Sequence, residues 1–175
     1  MDLNSYLLLI KLLDKYGSGI FGKIAQKILA LSFHKVGFTH IIERSVEGVD
    51  IDITENNEIK YAIEVKTTKE NFIYLSQSNI DALKARTSDG YKPLIAVLKL
   101  APLENWIISS LRLKNQKSGK IIIDQLRPDR LDQLDEIVNI AFNDSLIENY
   151  EGTYNKGLNF LIKKLNEIGI DIVNG

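Results

Sequence analysis

The sequence predicts an α/β fold: a mixed β-sheet flanked by helices, followed by a helical C-terminal extension. Three observations carry this. Short β-branched runs at 38–44, 49–54, 59–66 and 94–100 are bounded by turn residues and read as strands. The first three follow one another closely, as antiparallel strands do, whereas a helix-sized segment separates 59–66 from 94–100, which makes the sheet mixed. Beyond Pro128 the strand signal stops, and two stretches of helical periodicity take over.

The elements follow in order. Residues 2–16 place Leu7, Leu8, Ile10, Leu12 and Leu13 at helical spacing, and Gly17 and Gly19 break that helix. Residues 21–36 form a second amphipathic helix with Ile24, Ile28, Leu31 and Phe33 toward a core, ended by Gly37. Strands are expected at 38–44, 49–54 and 59–66, with turns at Glu47-Gly48 and Asn56-Asn57. Residues 67–71 are polar and read as a loop, 72–75 as a short apolar piece. Ser76 or Ser78 caps a helix running to about Ala85. After the Asp89-Gly90 turn come a strongly apolar strand at 94–100, an edge strand at 106–111, a polar turn at 115–120 and a last apolar piece at 121–123. Helices are expected at 129–149 and 153–168, broken at Glu151-Gly152. The tail shows no strand signal. Residues 1–125 are thus expected to form the main domain, and 126–175 a helical extension packed on it for packing or dimerisation.

The chain has 175 residues, 45% hydrophobic and 26% charged, which suits one globular domain with a sizeable core. No apolar run is long enough to cross a membrane. The opening segment lacks a basic start and a small-residue cleavage site, so it reads as an amphipathic helix with no export. There are no cysteines, which excludes disulfides and thiolate chemistry and suits a cytoplasmic protein. A net charge of −1 weighs against a generic DNA-coating protein but leaves room for a DNA enzyme whose acidic metal site offsets basic residues elsewhere.

Chemistry concentrates in residues 48–68. Alternate residues of a strand share a face, so Asp50 and Asp52 project together, as do Glu64 and Lys66. Two carboxylate-bearing strands joined by a tight turn, with a lysine beside one carboxylate, make a seat for a hard divalent cation. Taken alone, Glu64 and Lys66 read as a solvated strand face, because short motifs have low specificity. His34 and His40 are isolated and read as surface or core histidines.

Asp50 followed by Glu64-Val65-Lys66 resembles the active-site signature of the PD-(D/E)XK nuclease superfamily. The helix GKIAQKILALSFHKVGF, the segment YAIEVKTTKENFIYLS and the strand LIAVLKL are similar to archaeal Holliday-junction resolvases over roughly residues 20–110. The resemblance implies a restriction-endonuclease-like fold and a Mg²⁺-dependent endodeoxyribonuclease of resolvase or restriction type, with Mn²⁺ able to substitute. It implies that Asp50 and Glu64 hold the metal, with the Val65 carbonyl completing the protein ligands and Asp52 as a helper or the alternative first acid. Lys66 then orients the attacking water or stabilises the phosphorane. The family's helix acid falls at Gln26, whose amide oxygen carries less charge. That departure keeps open a second reading, a catalytically weakened module that binds DNA or a protein partner.

The implied partner is double-stranded or branched DNA, cut by a homodimer. Thr67 and Lys69 beside the motif are candidate backbone contacts, and Arg112, Lys114 and Lys117 form the densest basic stretch, a candidate phosphate-contacting patch. A basic hairpin loop without a ligand is the plain alternative for that stretch.

Overall fold

The computed structural model describes residues 1–44, 48–55 and 59–173. The chain runs α1 (Leu3–Lys35), β1 (His40–Arg44), β2 (Ile51–Glu55), β3 (Ile59–Thr68), β4 (Phe72–Leu75), α2 (Gln77–Ser88), β5 (Lys92–Lys99), β6 (Trp106–Ser110), β7 (Gly119–Ile122), α3 (Asp132–Lys156), α4 (Leu158–Glu167) and β8 (Asp171–Val173). Short 3₁₀ turns precede and follow β7. Six strands form one mixed sheet in the order β6-β5-β3-β2-β1-β8, and β4 pairs with β7 in a separate two-stranded sheet. The pairs β1–β2, β2–β3 and β5–β6 are antiparallel, whereas β3–β5 and β1–β8 are parallel.

The break expected at Gly17 is a kink inside α1. Gly17 takes φ 73° and ψ 166°, a conformation that L side chains resist, and helix resumes directly, so Gly19 is helical. Ser76 rather than Ser78 caps α2: its hydroxyl accepts from the Asn79 N–H while the Asn79 side chain accepts from the Ser76 N–H. The Asn56-Asn57 turn and Glu47 lie outside the described residues.

Alternation sorts the sheet into two cores. Ile51, Ile53, Ile63, Val65, Leu94 and Ala96 pack under α1, α3 and α4. Ala62, Ile95, Val97 and Ile107 face the other way, against α2 and the β4–β7 ribbon. β3 and β5, covered on both faces, accordingly read as continuous apolar runs in the sequence.

Two readings of the tail are corrected. First, α3 runs through Gly152 and ends at Gly157, where φ is 59°. Gly152 is a site of close approach: a Cβ there would lie 2.3 Å from Cε2 of Phe160 on α4. Second, the tail does contain a strand. β8 pairs with β1 at the sheet edge, in the register Ile42–Asp171 to Arg44–Val173. Val138, Phe142, Leu146, Leu161, Leu165 and Ile170 join the core beneath α1, so the tail shares the hydrophobic interior of the rest. It also covers the other sheet edge. Asn139 on α3 accepts from the Trp106 N–H at 2.8 Å and donates to the Trp106 carbonyl, while Asp135 accepts from the Ile108 N–H. Those outward-facing groups of β6 would otherwise be free to pair with another chain. The Trp106 ring is buried edge-on to Phe142, with ring centres 5.4 Å apart.

Candidate active site

The pairing of β2 with β3 ends at Ile51–Ile63, and β3 continues alone on that side to Thr68. This fork lies near the middle of the sheet and holds Asp50 and Glu64. Asp50 lies just before β2. Its Oδ2 accepts from the Val65 N–H at 2.7 Å, a donor left unpaired on the β2 side by the end of the ladder. N–H and C=O of one strand residue point to the same side, so the Val65 carbonyl also faces the fork. Glu64 stands on the same face as Ala62 and Lys66, and its Oε1 accepts from the Lys66 ammonium at 2.6 Å. Glu64 is 1% exposed, and its Oε2 is buried without a hydrogen-bond partner.

A cleft of about 310 Å³ opens at the fork, lined by Gly19, Gly22, Lys23, Gln26, Arg44, Asp50, Val65, Lys66 and Thr67. Gly19, Gly22 and Gln26 share a face of α1 by their 3- and 4-residue spacing. A Cβ at Gly22 would come 3.9 Å from the Thr67 hydroxyl, an ordinary contact distance, which places this turn of α1 beside Thr67 of β3.

Burial shapes the electrostatics of the fork. Burial is the main cause that raises the Asp50 carboxyl to about 6; Glu43 raises it further, while the Val65 N–H and Lys66 act against the rise. Burial also raises Glu64 to about 7, with Asp50 adding to the rise and Lys66 opposing it. Two carboxyl groups that resist ionising together, one with an orphaned buried oxygen, suit a divalent cation, and a cation such as Mg²⁺ needs only one or two carboxylates because it keeps several waters. Among the described residues, no group of three or more His, Cys, Asp or Glu side chains converges on one point, so any cation here rests on this pair together with neutral oxygens.

Asp52 does not join them. It is 2% exposed and faces α2, where its Oδ2 is bound by Arg44 at 2.5 Å and by Arg86 at 2.6 Å. Both guanidiniums would have to leave before a metal could enter, so the expectation of Asp52 as a metal helper is corrected: it is an ion-pair hub. Arg86 is held further by Asp89 and lies 3.9 Å over the Tyr91 ring. Asp52 thereby ties Arg44, which lines the cleft, to α2.

Gln26 does reach the fork. Its side-chain nitrogen donates to Glu43 Oε1 at 2.7 Å, to the Arg44 carbonyl at 2.8 Å and to the Asp50 carbonyl at 3.2 Å. Of the predicted DNA contacts, Thr67 lines the cleft. Lys69 is exposed just beyond β3. Arg112, Lys114 and Lys117 stand apart from the cleft, exposed on the connection from β6 to the β4–β7 ribbon, with Arg112 paired to Asp129.

Sequence reasoning missed Lys23, Arg44, Lys27 and Glu43. Lys23 had a readable signal, since it precedes Gln26 by three residues on the same helix face. Glu43 and Lys27 had none, because their contact spans 16 residues and two elements.

No protein-family model matches the sequence, and no curated protein is detectably similar to it. Among solved structures, the chain is similar to Hjc of Archaeoglobus fulgidus, described as a Holliday junction resolvase from an archaeal hyperthermophile. The TM-score is 0.53 at 22% identity, covering 66% of this chain and 95% of that one. The likeness shows the fold: a mixed α/β sheet flanked by helices, as in that nuclease.

Proposed function

We propose that this chain is a PD-(D/E)XK-type, divalent-cation-dependent DNA endonuclease, resolvase-like or restriction-like, that acts inside the cell on double-stranded or branched DNA. The observation that carries the reading is the fork itself, where Asp50 and Lys66 line an open cleft, Glu64 is buried against Lys66, and one Glu64 oxygen is left without a partner. The similarity in fold to a Holliday junction resolvase supports the same reading.

Asp50 and Glu64 would hold Mg²⁺, or Mn²⁺ in its place, with the Val65 carbonyl as a neutral ligand. When bound, the cation supplies positive charge to the scissile phosphate and acidifies water beside it. The protein's own groups do the rest. The Lys66 ammonium, anchored by Glu64, stabilises negative charge developing on the phosphate and orients the attacking water. The Val65 N–H holds one Asp50 oxygen in place. Lys23 and Thr67 at the cleft wall bind the backbone of the DNA, and Lys69, Arg112, Lys114 and Lys117 extend that contact outward.

A homodimer would provide two clefts for two strands. Ile137, Ile140 and Ile147 are exposed on α3, which makes the tail a candidate for the contact between copies.

Incubation of plasmid, duplex and four-way-junction DNA with Mg²⁺ or Mn²⁺ tests the proposal. Cutting by the native protein, lost in Asp50→Ala, Glu64→Ala and Lys66→Ala, is expected; full activity in all three variants would end the assignment. Gln26 in place of an acid favours a second reading, a nuclease fold that binds DNA or a protein without cutting. Cation binding without cleavage of any of these substrates would favour it.

A further inference from the structure

Behind the cleft lies a buried ion pair with no part in the chemistry described so far. Glu43 is 0% exposed and Lys27 is 1% exposed, and their charged atoms are 2.7 Å apart. An ion pair withdrawn this completely from water is a weak source of stability, because desolvation offsets most of the attraction. Its arrangement points elsewhere. Glu43 spends one oxygen on Lys27 and the other on the side-chain nitrogen of Gln26. That nitrogen also faces the Arg44 and Asp50 carbonyls. All three neighbours are acceptors only, so the atom among them must be the donor, and turning the amide over would set oxygen against three oxygens. The Gln26 carbonyl oxygen accepts from no donor among the described residues, and Gln26 lines the cleft.

We propose that the buried Lys27–Glu43 pair is a positioning device that locks the Gln26 amide so that its carbonyl oxygen faces the cleft as a neutral ligand for the hydrated cation held by Asp50 and Glu64. The proposal rests on the nuclease reading for the identity of the cation. It also explains why an amide suits position 26: a carboxylate there would press an oxygen against Glu43 and two main-chain carbonyls. The acid lies one step behind the cleft and the amide lies at it.

The test pairs a metal-free measurement with a double-mutant cycle. The double variant Lys27→Met/Glu43→Leu removes both charges together, which keeps a lone buried charge from unfolding the protein. In the native protein without metal, the Gln26 side-chain N–H₂ resonances should exchange slowly with solvent, and the double variant should speed that exchange. Calorimetry should show Mn²⁺ binding about tenfold weaker in the double variant and in Gln26→Leu, in line with the usual effect of groups that orient metal ligands. In the Gln26→Leu background, Lys27→Met/Glu43→Leu should weaken Mn²⁺ no further. A merely structural pair would weaken binding equally in both backgrounds, and that result overturns the proposal, as does Gln26 exchange that the double variant leaves unchanged. Slow Gln26 exchange in a native protein that binds no Mn²⁺ would overturn the nuclease reading and this use of the amide together, while leaving the lock itself standing.

Discussion

The Glu64 carboxylate ionises at a cost to the fold, and glutamine in its place should remove both the cost and the activity. Burial, with Asp50 beside it, raises Glu64 from 4.5 to about 7. The folded-state value lies above the unfolded one, so between these limits the native protein holds a proton that the unfolded chain has lost. Stability therefore falls as pH rises through that window. A rise of about 2.5 pH units corresponds to about 3 kcal/mol lost by pH 8, against less than about 1 kcal/mol at pH 5. Glutamine keeps the shape and an acceptor for Lys66, which is partly exposed and can hydrate. In EDTA at pH 8, Glu64→Gln should be more stable by about 2–3 kcal/mol, a rise in Tm of roughly 4–10 °C for a chain of this size. At pH 5 the two proteins should melt nearly together. Mg²⁺ at a hundred times its Kd should restore about 2.7 kcal/mol to the native protein and almost nothing to the variant. Thermal melts at the two pH values, with EDTA or Mg²⁺, read all of this. A variant less stable than the native protein at pH 8, or one stabilised equally at both pH values, would refute the reasoning.

The same carboxyl groups should make cation binding pH-dependent. Calorimetric Mn²⁺ affinity should fall as pH drops below about 7, as Glu64 and then Asp50, raised to about 6, take up protons; flat affinity between pH 5 and 8 would place the cation elsewhere. Gly152→Ala should lower stability by about 1–3 kcal/mol in denaturant melts, despite better helix propensity, because the new Cβ meets Phe160. Phe160→Leu in the same chain should recover part of the loss. Asn139→Ala should cost about 1–3 kcal/mol by unpairing the buried Trp106 N–H and C=O, and light scattering should show association through the uncovered β6 edge.

What was legible in the sequence was local. Strand alternation and the resemblance to a nuclease signature single out Asp50, Glu64 and Lys66, and the contacts of Asp50 with the Val65 N–H and of Glu64 with Lys66 are short-range ones that the signature's spacing allows. Ser76 at the start of α2 was found because a cap acts within one turn. Asp52 shows where that logic stops. Alternation assigns it to the same face as Asp50, but its neighbours Arg44 and Arg86 come from β1 and α2, and only the packed fold reveals that they occupy it. Glu43 sits in an ordinary strand alternation with Ile41, and nothing near it announces a buried lysine from α1 as its partner. Glycine usually interrupts helices, so the sequence reads Gly152 as a breaker; in the fold it is small so that Phe160 can approach. β8 escaped notice because three residues carry too little pattern, and its pairing with β1 is set by α4 delivering it to the sheet edge.

The fork between β2 and β3 is the centre of this account, and cleavage is its most direct test. Labelled four-way-junction and duplex DNA should be incubated with the native protein and with Glu64→Gln, each in Mg²⁺ and in EDTA, and resolved on denaturing gels. Cutting of either substrate by the native protein in Mg²⁺ alone, absent from the variant, is expected. Equal cutting by the variant, or cutting that persists in EDTA, would contradict it.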